Sequence, residues 1–346
     1  MEKIVYLILC IENLLLGYVK PQKGRIQFFT NEATKPEGNF RMIMDELQKR
    51  GREDIHFYGV KFTGSLSNKF HYLFACIKQL YLCKKASLVI LNDNNYVISK
   101  FKPTGLQVIQ IWHACGAVKK FGSQLKNRKY KIQGYDKVIC CHPYWVGIFS
   151  EAFSTPKENL VITGVPCTDE LIENKEEPEN IISYLPTFRG TSMGKLEYVS
   201  LEENKEFMES VPKGWKFQTK QHPLVPVPST TGNKSLNKIL MESKIIITDY
   251  SSIMFDASLL NDRTVLIYAP DYEKYKDTVG YNIDLERDYE GYIAKDATHL
   301  SDLINREVNN PTPNTKKIRG KYMKYEDGKN LERVVAVIEG VLGDEK

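Results

Sequence analysis

The stretch Ile245-Ile246-Ile247-Thr248-Asp249-Tyr250-Ser251-Ser252-Ile253-Met254-Phe255-Asp256 changes character halfway along. Its β-branched apolar run has the composition of a buried strand, it breaks at Asp249, and two serines then open a helix running to about Leu260. A strand leading through a short polar loop into a helix is the repeating step of a parallel α/β sheet. Hydroxyls and free amides at such a helix start suit a phosphate or pyrophosphate, and the macrodipole acts in the same direction. A plain N-cap would account for one of the two serines. Asp256 lies four residues beyond Ser252 on the same helix face, placed to orient it or to meet a sugar hydroxyl.

The same step recurs on both sides. Short apolar runs at 25–29, 55–60, 87–91, 106–112, 137–141 and 160–163 alternate with helical patterns such as 39–50 and 70–84. Residues 169–180 are acidic and poor in apolar side chains, and beyond them the runs resume at 181–185, 215–219, 244–248 and 265–268. The expected organisation is a candidate membrane-contacting helix over 1–22, a first α/β domain over 23–170, a second over 171–330, and a terminal helix over 331–346 packing back across the junction. Ile4, Leu7, Ile8, Ile11, Leu14, Leu15 and Tyr18 recur at helical spacing, with Lys20, Lys23 and Arg25 following. That pattern suits a helix lying in a membrane interface or one packed on the body.

Composition excludes several classes. With 346 residues, 42% hydrophobic and 26% charged, the chain is neither disordered nor a multi-span membrane protein. A net charge of +5 suits an anionic ligand or surface without demanding one. The cysteines at 10, 76, 83, 115, 140, 141 and 167 form an odd set with no CxxC, which argues against a zinc site or a disulfide framework. Dinucleotide, P-loop and zinc-protease motifs are lacking, no acidic pair stands out as a metal site, and the basic stretch carries no pattern for nucleic acid.

Three further motifs follow strands, where ligands gather in open parallel sheets. In Trp112-His113-Ala114-Cys115-Gly116-Ala117-Val118-Lys119-Lys120, His113 offers an imidazole base, and Lys119 and Lys120 offer cationic partners on an acceptor or anion side. In Tyr184-Leu185-Pro186-Thr187-Phe188-Arg189-Gly190, Thr187 and Arg189 follow the strand, and arginine is the side chain best shaped for two-point phosphate contact. The adjoining Gly190-Thr191-Ser192-Met193-Gly194 matches the serine-hydrolase pattern, but Ser192 is too far from the strand to form the required elbow. In Lys220-Gln221-His222-Pro223, the proline holds His222 extended so that its ring can be aimed into a crevice.

Taken together, WHACGAVKKFG, YLPTFRG, KQHPL and ITDYSSIMFD, in this order, resemble the CDP-glycerol glycerophosphotransferase family of teichoic-acid primases and polymerases. The resemblance runs from about Arg25 to Leu300. It implies a GT-B fold of two Rossmann-like domains facing a cleft. It also implies transfer of glycerol phosphate or ribitol phosphate from a CDP-alcohol donor to a lipid-linked or polymer acceptor, at the cytoplasmic face of the membrane, with release of CMP. On that resemblance His113 is the general base, and His222 contacts the donor diphosphate. Thr187 and Arg189 form a donor-side loop, Ser251 and Ser252 a phosphate-binding helix start, and Asp249 and Asp256 stand where the family has acids. No cofactor and no metal are implied, so turnover is expected to be metal-independent. This chain departs from the family by having Ala114 to Val118 between His113 and Lys119. The alternatives are a GT-B glycosyltransferase using a nucleotide-sugar and a non-catalytic protein bound at the membrane.

Overall fold

The computed structural model describes residues 2–61, 68–126, 128–189, 197–221, 230–232 and 234–343. Two compact units emerge: Met1–His113 with Phe121–Cys167 and Lys329–Lys346, and Ala114–Lys120 with Thr168–Gly328.

The first unit holds β1 (Ile26–Thr30), β2 (Ile55–Gly59), β3 (Leu88–Leu91), β4 (Gln107–Gln110), β5 (Lys137–Cys140) and β6 (Leu160–Ile162). They pair in parallel in the order β2-β1-β3-β4-β5-β6. Every side chain of β3 is buried, as expected of a central parallel strand covered on both faces. Phe40, Ile43 and Leu47 from the helix Gly38–Lys49 and Val334, Val335 and Ile338 from the helix Asn330–Gly343 pack against Phe28, Ile90 and Ile109. Each fully buried side chain of this size contributes about 1.5–3 kcal/mol.

The second unit holds β7 (Glu179–Leu185), β8 (Lys216–Thr219), β9 (Ser243–Thr248), β10 (Thr264–Tyr268) and the edge strand β11 (Ile293–Ala294), in the order β11-β10-β9-β7-β8, again all parallel. Ile245, Ile247 and Leu266 meet Leu300, Leu303 and Ile304 of the helix Ala297–Asn309. Counted from its own first strand, this sheet has the order 2-1-3-4-5, that of the first sheet without its sixth strand. In each, the strand order reverses between the first and third strands, at β1/β3 and at β7/β9. Crevices for ligands open outside the carboxyl ends of strands at such reversals.

One segment falls outside the expected boundaries. Ala114–Lys120 was expected within the first domain but belongs with the second unit. The Lys120 N–H donates to the Gly280 carbonyl (3.1 Å), the Asn282 N–H to the Val118 carbonyl (2.8 Å), and Lys119 bridges Tyr281, so tertiary hydrogen bonds outweigh chain proximity. The terminal helix, which follows the second unit in the chain, belongs to the first unit and packs in its core. At the N-terminus, the helix Glu2–Leu15 buries Val5 and Leu9 and leaves Ile4, Leu7, Ile11, Leu14 and Leu15 exposed. Among the described residues no helix is long and apolar enough to cross a membrane.

Candidate active site

In the first unit, the chain leaves β4 through Trp112, whose φ of 60° is in the left-handed region. That conformation is a genuine outlier for so bulky a residue, and it is held in place here by packing. Trp112 is buried, stacks on Phe121 with ring centres 4.9 Å apart, and donates its N–H to Gln110 Oε1 (2.9 Å). The turn leaves the next residue, His113, with its side chain 44% exposed. Nδ1 of His113 lies 3.1 Å from the Asn92 carbonyl, which can only accept, so Nδ1 carries the proton and Nε2 is the basic nitrogen. Glu32 Oε1 stands 3.6 Å from Nδ1.

In the second unit, the loops after β7 and β9 converge on Asp249. Its Oδ1 accepts the N–H groups of Thr187 (2.9 Å) and Tyr250 (2.6 Å), and its Oδ2 lies 2.9 Å from Arg189 Nη1. Arg189 also forms a two-point pair with Asp271, Nε to Oδ2 at 2.7 Å and Nη2 to Oδ1 at 3.0 Å, and donates Nη1 to the Thr187 carbonyl. Its guanidinium lies over the rings of Tyr250 and Tyr275. Burial pushes the Asp271 carboxyl up, but the hydrogen bonds and charge of Arg189 outweigh it and hold the group below the usual range. Arg189, read from the sequence as a phosphate clamp, is thus engaged by two aspartates.

Lys119 joins the same neighbourhood. Its ammonium lies 5.7 Å from the Phe188 ring centre, and burial lowers its pKa; Asp249 opposes that shift and Arg189 adds to it. The Thr187 hydroxyl is buried with no hydrogen-bond partner among the described residues. Ser251 Oγ accepts the Ile253 N–H (3.3 Å), whereas Ser252 makes no side-chain cap to the short helix Ile253–Ala257. Asp256 is tied to the Cys115 thiol, and burial raises its carboxyl to about 6 even though that thiol lowers it. The strip 114–120 therefore brings Cys115 and Lys119 into the unit that holds Asp256 and Asp249.

Thr187, Arg189, Asp249 and Lys119 gather in the second unit, with Ser251 and Ser252 next in the chain, while Lys120 is exposed and held through its backbone. His113 belongs to the first unit. His222 and Ser192 lie outside the described residues. Sequence reading missed the partnership of Asp271, Tyr250 and Tyr275 with Arg189 and that of Asn92 and Glu32 with His113. None of these residues sits in a spacing that announces the contact.

The sequence profile of the CDP-Glycerol:Poly(glycerophosphate) glycerophosphotransferase family matches residues 14–340, nearly the whole chain. The chain belongs to this family. As a member of the glycerophosphotransferase family, it is 27% identical to the teichoic acid ribitol-phosphate primase of Bacillus spizizenii, over 95% of this chain and 94% of that protein. It is 29% identical to the teichoic acid glycerol-phosphate primase of Bacillus subtilis, over 77% of each. The wall teichoic acid polymerase TagF superposes with a TM-score of 0.71 at 18% identity, covering 96% of this chain and 93% of that structure. That likeness shows the GT-B-like fold of two parallel-sheet units expected from the sequence.

Proposed function

We propose that this glycerophosphotransferase transfers glycerol phosphate or ribitol phosphate from a CDP-activated donor to a hydroxyl of a lipid- or polymer-linked acceptor. The acceptor oxygen attacks the phosphorus that bears the polyol, the bond to CMP breaks, and CMP leaves with the bridging oxygen. His113 Nε2 takes the acceptor proton, a task for which a neutral imidazole with Nδ1–H tied to a carbonyl is well prepared. The observation that carries the reading is the match over residues 14–340, supported by the strand-end motifs that carry the resemblance.

On the donor side, Lys119, the Thr187 hydroxyl, Ser251, Ser252 and His222 are the groups that meet the diphosphate. The lowered pKa of Lys119 and the unpartnered Thr187 hydroxyl support this, since both gain from an anionic, hydrogen-bonding ligand. Arg189 holds Asp249 and Asp271 in position and acts on the donor through them. No metal is needed in this scheme.

Incubation with CDP-glycerol, CDP-ribitol and a UDP-sugar, each with acceptor and with EDTA, tests the reading by the nucleotide released. CMP from a CDP-alcohol, persisting in EDTA, is expected, and His113→Ala should lower its rate at least about a hundredfold. UDP release alone would overturn the donor assignment, and loss in EDTA restored by Mg²⁺ would overturn the metal-free scheme.

A membrane surface, the cytoplasmic leaflet, is the place of action in this reading. Ile4, Leu7, Ile11, Leu14, Leu15 and Tyr18, with Phe70 and Phe74 of the helix Asn68–Lys85, are all exposed apolar side chains, and the lysines 20 and 23 follow the first helix in the chain. Leu14→Glu should weaken cosedimentation with anionic vesicles; unchanged binding would clear the helix of that role.

A further inference from the structure

A second feature sits at the strand reversal of the first unit. A cavity of about 200 Å³ opens there, lined by Asn31, just after β1, and Asn94, just after β3. This is the position in the first sheet that corresponds to the Thr187–Asp249 crevice in the second. Its volume is several times the roughly 30 Å³ share of one water. It falls below the roughly 300–1,000 Å³ of sites for drug-sized molecules, which suits one small unit and not a lipid chain.

The lining chemistry is specific. The tyrosines 72, 96 and 130 contribute rings, and Asn31, Asn94, Gln79 and Arg128 contribute polar groups. Gln79 is 97% buried, and its Nε2 has no partner among the described residues although its Oε1 accepts from Asn95 Nδ2 (3.0 Å). Asn94 Oδ1 is likewise buried and unpartnered among the described residues. Arg128 uses Nε on the Gly122 carbonyl (3.0 Å) and forms no ion pair among the described residues. Buried donors and acceptors left in this state are costly unless something polar fills the space. Amides suit hydroxyls, a guanidinium suits a phosphate, and tyrosine rings suit the carbon-bound hydrogens of a polyol.

The cavity shares its loops with His113. Asn31 precedes Glu32, which stands 3.6 Å from the imidazole, and Asn94 follows two residues after Asn92, whose carbonyl holds Nδ1. We propose that this cavity seats the terminal polyol-phosphate unit of the acceptor, with Arg128 on its phosphate and Gln79, Asn31 and Asn94 on its hydroxyls. The assignment rests on the transferase reading above and extends it to acceptor recognition.

The test uses two variants of the full chain and two readouts. Ala75→Leu fills the cavity from a lining position without removing a hydrogen bond, and Arg128→Gln removes the cation. The first readout is calorimetric binding of sn-glycerol 3-phosphate, with glycerol and inorganic phosphate as controls. The second is hydrolysis of CDP-glycerol without acceptor, which reads the donor half alone. Arg128→Gln should weaken glycerol 3-phosphate binding roughly ten- to a hundredfold, and Ala75→Leu should abolish it. Both should keep CDP-glycerol hydrolysis within about twofold, as expected for surfaces that touch only the acceptor. Absence of binding to the unaltered chain, equal binding to inorganic phosphate, or unchanged binding in Arg128→Gln would overturn the cavity assignment. Should Ala75→Leu fail to fold by circular dichroism, Arg128→Gln alone decides. Absence of hydrolysis of both CDP-glycerol and CDP-ribitol in the unaltered chain would instead strike the transferase reading, leaving the binding arm to judge the cavity.

Discussion

Asp249 and Asp93 make an instructive pair. Each is a buried aspartate just after the third strand of its own sheet, β9 in one unit and β3 in the other. Asp249 accepts two backbone N–H groups and stands against Arg189, itself locked by Asp271. Asp93 accepts the backbone N–H and side-chain amide of Asn31, but forms no ion pair among the described residues. Burial pushes its carboxyl up to about 8; the Asn31 hydrogen bonds oppose this and the charge of Glu32 adds to it. The turn after the third strand thus carries paired charges in one unit and a carboxyl poised toward neutrality in the other. The charged crevice is the one assigned the donor diphosphate. The amide- and tyrosine-lined one is assigned the hydroxyl-rich acceptor.

Arg189 carries the largest difference between the two turns. Arg189→Ala would leave Asp249 buried without its cation, and loss of one partner of a buried ion pair costs about 3–5 kcal/mol. Denaturant unfolding should show that loss. A change below about 1 kcal/mol, the range of surface pairs, would mean that the two aspartates do not depend on the guanidinium.

A smaller effect sharpens the contrast at Asp93. Its folded pKa of about 8 lies above the unfolded value of about 3.9, so the folded state binds the extra proton between those values. Its contribution is therefore full below about pH 4 and is lost as pH rises through 8. Asp93→Asn carries no titrating group at this place and should flatten the fall of the thermal midpoint between pH 5.5 and 8.5 by at least about 2 °C. Some slope should persist, because Asp256, raised to about 6, and Glu12, raised to about 7 by burial, contribute with the same sign. An identical slope in the variant would show that Asp93 is charged throughout.

Much of the fold was readable because parallel strands buried on both faces must be continuous apolar runs. The runs at 87–91 and 244–248 correspond to β3 and β9 within a residue. The edge strand β11 was not readable, since Ile293–Ala294 is too short to form a pattern. At the site, proximity to strand ends singled out His113, Thr187, Arg189 and Asp249. The same reasoning put Lys119 with the first domain and on the acceptor side. Hydrogen bonds from 118–120 to 280–282, more than 150 residues away, carry it into the other unit. The apolar stripe of the N-terminal helix was also legible, but not that it would be the uncovered face. Val5 and Leu9 turn inward instead.

The order of residues along the chain was enough to establish two rounds of strand-loop-helix, the chemistry-bearing loops and their family resemblance, because these depend on periodicity and on neighbours a few positions apart. Strand order, and with it the reversals at β1/β3 and β7/β9, depends on which distant segments pair. So do the clamping of Arg189 between Asp249 and Asp271 and the cavity behind Asn31 and Asn94. Such features arise from hydrogen bonds and burial shared between residues tens to hundreds of positions apart, and no local pattern encodes them.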